Sequence, residues 1–214
     1  MSEVGPGTIR RAASMYPICD LQIEYSLISR GIEDAILTTC RDLGIGLTAY
    51  GVLSRGMING HWRKDTAASG DFRLHSPRFQ GENADTNIAL VEALRIIANI
   101  KGASVAQIAI AWVAAHGNDI IPLVGARRHV RLYKALGGSD VTLTPAALAA
   151  IEQTVPNDAA AGERYVAMLD SERGRVGARL SPRRVNRRGV LAPSSHAVPA
   201  PRSTSWRWAE LRGA

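Results

Sequence analysis

An α/β fold with a parallel sheet built from βα units is what this sequence predicts, and three observations predict it. Between residues 19 and 50 a strand, a helix and a second strand follow one another across tight glycine junctions, the alternation that sets parallel strands side by side. Two helices, each with one apolar face, occupy residues 87 to 115. Residues 119 to 136, DIIPLVGARRHVRLYKAL, run as a short apolar strand to a glycine and then into a basic helix,.

Taken in order, residues 6 to 14, PGTIRRAAS, suggest a short helix with Thr8 as its cap and Ile9, Ala12 and Ala13 on one face,. A chain that opens on a helix after five residues reads as though something should precede it. Cys19 to Leu27 puts Leu21, Ile23, Tyr25 and Leu27 on one face and Asp20, Gln22, Glu24 and Ser26 on the other, a strand with a wet or ligand-facing side. After Gly31, IEDAILTTCRDLG aligns Ile32, Ile36, Cys40 and Leu43, carries acids early where the helix dipole favours them, and stops at Gly44,. Ile45 to Tyr50 is the second strand.

Residues 51 to 86 hold no sustained periodicity, and loops of that length in compact domains are commonly functional or disordered. Asn87 to Ile100 aligns Ile88, Val91, Leu94 and Ala98, and Ser104 with Gln107 forms a capping box ahead of Val105, Ile108, Ala109 and Trp112,. Asp119 to Val124 reads as a buried strand, although Pro122 cannot donate to a ladder. Thr144 caps a last helix that has Pro145 at its first position and runs to about Thr154,.

From Gly174 the pattern dissolves into an Arg, Pro, Ser and Ala mixture, read as a disordered tail over 174–214,. The formal charge of +7 sits there: those residues hold nine arginines and one acid, which leaves the body near −1. Trp206 and Trp208 beside Arg207 could stack on single-stranded nucleic acid, but a structureless end with incidental aromatics is the preferred reading, and no nucleic-acid partner is expected. The change of composition after Arg173 also fits a tail translated out of its original frame. The absence of an apolar run of 18 residues or of a secretion signal argues against membrane or export,. Cys19 and Cys40 form no paired framework or metal spacing, so they read as reduced core thiols of a cytoplasmic protein.

Residues 119 to 136 have the layout of an anion site. A glycine lets backbone approach a ligand, a helix start offers unpaired N–H groups and a positive dipole end, and Arg127 adds a bidentate donor. Taken alone, Arg127, Arg128 and Arg131 serve equally well as a solvated face. Tyr50 at a strand end and Gln22 within a strand have equally plain readings, as a packed aromatic and an interior polar residue.

The segments DLQIEYSLISRGIE, GIGLTAYGVLSRG, SPRFQGEN, AQIAIAWV, IIPLVGAR and GERY at 162 to 165 follow one another in a fixed order and spacing. In these the chain resembles the carboxyl-terminal half of the aldo/keto reductase family, over about residues 2 to 172. The resemblance implies a partial (β/α)8 TIM barrel, the later βα units only, over residues 1–173, with the tail at 174–214. It implies NADP(H) as cofactor and small carbonyl compounds, aldehydes or ketones, as substrates.

By the same resemblance Gln22 would hydrogen-bond the nicotinamide carboxamide, Tyr50 would stack on its ring, and Ser2 matches a serine that also meets the carboxamide. Leu53, Ser54 and Arg55 match the loop over the pyrophosphate, and Gly125 and Arg127 the residues at the adenosine 2′-phosphate. Lys134 and Ala135 stand where the family usually has a Glu-Asn pair at the adenine. The family's catalytic Asp, Tyr, Lys and His lie on the earlier half and match nothing in this sequence, so no catalytic residue is assigned and the fragment is expected to turn over carbonyls poorly. The alternative is a non-catalytic module that binds a dinucleotide or associates through open barrel edges. His61, His75, His116 and His129 fall in no catalytic block, and no metal site is expected.

Overall fold

The computed structural model describes residues 1–62 and 70–164; the predicted tail, Tyr165 of GERY and the middle of the long loop lie outside the described residues. Helix α1 (Pro6–Met15) leads to strand β1 (Asp20–Glu24), helix α2 (Ile36–Asp42) and strand β2 (Gly46–Tyr50). Helices α3 (Gly81–Ile100) and α4 (Val105–Ala114), strand β3 (Ile120–Pro122), and helices α5 (His129–Leu136) and α6 (Pro145–Thr154) follow. The strands lie in the order β1-β2-β3, all parallel. Ser2 makes a parallel bridge to Gln22, with Gln22 N donating to Met1 O at 2.9 Å and Glu3 N to Gln22 O at 3.1 Å. The sheet therefore offers four adjacent parallel positions.

The register explains which residues are inside. Leu21 pairs with Leu47 and Ile23 with Ala49, and these, with Ile120, are buried under Ile9, Ile36, Cys40, Ile108 and Trp112 of the helices. The row Ser2, Gln22, Thr48, Ile121 looks the other way, because side chains alternate across a strand. No helix among the described residues covers that face: Gln22 is exposed and Ile121 is 64% exposed. In a closed barrel this would be the interior.

Several boundaries differ from the sequence reading. Thr8 is not the cap of α1; Gly5 holds the N-cap position, Pro6 starts the helix, and Thr8 lies inside it accepting from Arg11 Nη2 at 3.0 Å. Helix α2 begins at Ile36, not Ile32, because Glu33 is drawn aside: its carboxylate takes the Tyr25 hydroxyl at 2.7 Å and two bonds from Arg30 at 2.9 Å. Helix α3 starts at Gly81, six residues ahead of the expected Asn87. The preceding loop contains short 3-10 turns at Ser54–Gly56, Phe72–His75 and Pro77–Phe79. Strand β3 covers only three residues of the expected six, at a sheet edge where Pro122 is tolerated,.

Other elements follow the reading closely. The capping box of α4 is present, with Gln107 N donating to Ser104 Oγ at 3.3 Å and Ser104 N to Gln107 Oε1 at 2.9 Å. Thr144 caps α6 through the Ala147 N–H at 3.2 Å. Arg41 bonds Asp119 at 2.9 and 3.1 Å and so ties α2 to the start of β3. Both side chains are substantially exposed, so this pair contributes at most about 1 kcal/mol,.

The cysteines part company. Cys40 is buried, and burial pushes its thiol above the ordinary range, with Asp119 and Asp20 acting in the same direction. Cys19 is exposed at the mouth of β1 and is not the core thiol expected from the sequence. A thiol reagent at mildly alkaline pH is therefore expected to label one cysteine per native chain rapidly and the second only in denaturant. Peptide mapping should put the fast adduct on Cys19.

Candidate functional site

Parallel strands bring their carboxyl ends to one side of a sheet, so the residues following β2 and β3 emerge together there. Gln22 sits mid-strand on the open face opposite Thr48, two residues before Tyr50. Thr48 Oγ1 donates to Asp20 Oδ1 at 2.9 Å, and Tyr50, half-buried, ends β2 beside Glu24. Leu53, Ser54 and Arg55 form the turn directly after β2. Gly125 and Arg127 follow β3 and are exposed, and a Cβ added at Gly125 would meet nothing within 4 Å. Arg127 precedes α5 and Arg128 occupies its N-cap position, so only Arg131 of the three arginines lies within the helix as read from the sequence.

The turn after β2 is strained. Ser54 and Arg55 have φ of 45° and 56° and Gly51 a φ of 70°, left-handed values that cost a non-glycine residue on the order of 1 kcal/mol or more. Gly51 tolerates nothing larger, because a Cβ there would come within 2.8 Å of Glu24 Cγ. Ser54 turns its hydroxyl inward to Ser26 Oγ at 3.0 Å, and Arg55 sends its guanidinium inward, Nη1 donating to Arg164 O at 2.8 Å. Its side chain also passes 5.6 Å from the Phe72 ring centroid. The turn is also closed on itself, with Ser54 N donating to Gly51 O at 2.7 Å and Gly56 N to Leu53 O at 2.8 Å.

Beneath it lies an ion cluster that the sequence reading did not foresee. Glu24 and Arg164 are each only 4% exposed; Arg164 Nη2 donates to Glu3 Oε2 at 2.8 Å and Nη1 stands 3.5 Å from Glu24 Oε2. Arg55 Nη2 lies 3.7 Å from the same Glu24 oxygen, Ser29 Oγ donates to Glu24 Oε1 at 2.9 Å, and Glu24 N donates to Glu3 Oε1 at 2.9 Å. Two carboxylates thus face two guanidiniums in a dry setting, where paired charges hold one another firmly. The available signal was GERY, which contains Arg164, but nothing local links it to Glu3 161 positions away.

A cleft of about 550 Å³ opens beside this cluster, lined by Arg30, Asp34, Arg78, Asn157, Asp158 and Glu163 among others. It contains none of the seven predicted cofactor residues. Its arginines are engaged within the fold, Arg30 with Glu33 and Arg78 with Ser29 Oγ at 2.7 Å and Gly162 O at 3.2 Å. Among the described histidines, His61, His75 and His129 are exposed. His116 Nδ1 bonds Trp112 O at 2.7 Å and Nε2 lies 3.5 Å from Glu152. Among the described residues no group of three or more His, Cys, Asp or Glu side chains could hold a metal ion, and no single helix is long and apolar enough to cross a membrane.

Comparison with known proteins adds sequence evidence to this geometry. The family model described as the aldo/keto reductase family matches residues 1–156. The chain belongs to the aldo/keto reductase family. Among curated proteins, a probable aldo-keto reductase 1 from Glycine max is 38% identical over 170 residues, 79% of this chain and 49% of that protein. Among solved structures, a glycerol dehydrogenase from Gluconobacter oxydans superposes with a TM-score of 0.62 at 28% identity, covering 73% of this chain and 49% of that one. The chain thus spans about half the length of both relatives. The parallel sheet with flanking helices agrees with part of an aldo/keto reductase barrel.

Proposed function

We propose that this aldo/keto reductase chain is the cofactor-gripping part of an NADP(H)-dependent carbonyl reductase barrel, carrying no catalytic acid of its own. The observation that supports the proposal is that Gln22, Tyr50, the turn of Leu53 with left-handed Ser54 and Arg55, Gly125 and Arg127 fall on the open face and carboxyl-end side of one parallel sheet. The residues fit a dinucleotide. Gln22 would bond the carboxamide, Tyr50 would lie against the nicotinamide ring, and the turn after β2 would lie over the pyrophosphate. Arg127, beside the unobstructed Gly125, would take the 2′-phosphate by a charge-assisted pair. The cofactor, when bound, supplies the hydride.

Reduction also needs a proton for the developing alkoxide. No described histidine or tyrosine has been assigned that part, so the chain alone should bind NADPH and turn over aldehydes poorly.

The test is an NADPH fluorescence titration of the purified chain. Saturable binding is expected, weakened about 10- to 100-fold in Arg127→Ala, the loss of one charged hydrogen-bonding partner. Because Arg127 is exposed, thermal stability should stay unchanged. No binding, or equal affinity in the variant, would defeat the cofactor reading; brisk NADPH-dependent aldehyde turnover would defeat the missing-acid reading.

A further inference from the structure

One side of the molecule is built as if for a neighbour. Helix α5 buries none of its eight residues, and Val130, Leu132, Tyr133 and Leu136 are all exposed. A helix that follows a parallel strand packs over the groove between that strand and the next. Here β3 is the last strand of the sheet, so α5 has no next strand to lie on. The inner face beside it is bare as well, with Ile121 64% and Leu123 48% exposed.

The backbone of that edge has a definite pattern. Asp119 O and Leu123 N bond to β2, so the alternate residues Ile120, Pro122 and Val124 direct their backbone groups outward. Ile120 N turns back to Gly117 O at 3.2 Å and Pro122 has no N–H, which leaves the Ile120 and Pro122 carbonyls and the Val124 N–H for a parallel partner. At the opposite edge Met1 and Glu3 bond to Gln22, and by the same alternation Ser2 presents both its N–H and its C=O outward. One edge is short of donors and the other supplies one.

We infer that a second copy of this chain adds its Met1–Glu3 edge to β3, so that two copies close one eight-stranded parallel barrel. The inference rests on the barrel reading above but not on the cofactor. Four parallel positions per chain are half of the eight at which such barrels close,. A head-to-tail contact that spans half the circle closes after two members and does not run on as a fibre. Closure would also give α5 a bed between β3 and the partner's first strand, and would bury Ile121 and Leu123 in a barrel interior. Both copies' carboxyl-end residues would then share one mouth.

The experiment is sedimentation of the 214-residue chain without NADPH, beside Val124→Pro and a Ser2→Cys, Leu123→Cys pair, both on the inner face, made in a Cys19→Ser background. Expected are a mass twice 22.9 kDa for the parent, a monomer with unchanged far-UV circular dichroism for Val124→Pro, and an inter-chain product when the cysteine pair meets a short bismaleimide. Within one chain residues 2 and 123 lie at opposite edges of the sheet, at least about 14 Å apart across three strand spacings, so a short linker joins them only between copies. A monomeric parent would reserve the edge for a different βα partner and overturn the proposal. So would polymers, or a dimer that gives no cross-link. Should Val124→Pro fail to fold, the cross-link still decides. A monomer that titrates with NADPH sinks the dimer alone; a dimer that ignores NADPH sinks the cofactor site alone.

Discussion

Replacing Arg164 by alanine is expected to destabilise the fold by about 3 to 5 kcal/mol, the cost of stripping a buried carboxylate of its counter-charge. Arg164 is 4% exposed and serves two acids at once, Glu3 at 2.8 Å and Glu24 at 3.5 Å. Without it Glu24, equally buried, keeps only Ser29 Oγ and the more distant Arg55. Urea unfolding followed by far-UV circular dichroism should show a lower midpoint at unchanged slope. A loss under 1 kcal/mol would mean that water screens the cluster. Pairing Arg164→Met with Glu24→Gln should cost less than the two single changes added together, since each single change leaves the other group stranded.

Trp112→Ala should cost a similar amount, about 3 to 5 kcal/mol, for a different reason: it empties the core. The indole is fully buried, with its centroid 5.3 Å from Tyr25 and 4.1 Å from His116, and the Arg30 guanidinium lies 5.0 Å over its ring. Tyr25 beside it keeps its proton well above the ordinary phenol range, held there by burial and by the Glu33 carboxylate that accepts its hydroxyl. Trp112→Phe preserves most of the packing and should lose roughly half as much or less. If alanine were tolerated with no fall in the urea midpoint, the cluster of α4, β1 and the Arg30 turn would not be the load-carrying core described above.

Local signals gave the elements that depend on local chemistry. Helices α4 and α6 could be read residue by residue because their caps, Ser104 with Gln107 and Thr144 with Pro145, are written in neighbouring positions. The alternation of β1 was readable for the same reason. The first turns of α3 were not: GENADTN is poor in helix formers, and this end is anchored by distant partners. The Asn87 amide donates to Arg78 O at 3.0 Å and to Ala161 O at 2.9 Å and accepts from Ala161 N at 2.8 Å. Helix α2 was anticipated too early because Glu33, which looks like a first-turn acid, is used by Tyr25 and Arg30.

The same division runs through the candidate site. The strand positions of Gln22 and Tyr50 were legible from sequence alternation, and the two lie on neighbouring strands. The inward turn of Ser54 and Arg55 was not, since left-handed backbone at residues other than glycine leaves no compositional trace. The partnership of Glu3, Glu24, Arg55 and Arg164 joins four segments that no window on the sequence spans.

That partnership sets a timetable for synthesis. Arg164 leaves the ribosome 161 positions after Glu3, a delay of roughly ten to thirty seconds at ordinary elongation rates. Until then the nascent sheet holds two acids with Arg55 as the one cation of the cluster, so the Met1–Glu3 segment is among the last to be locked.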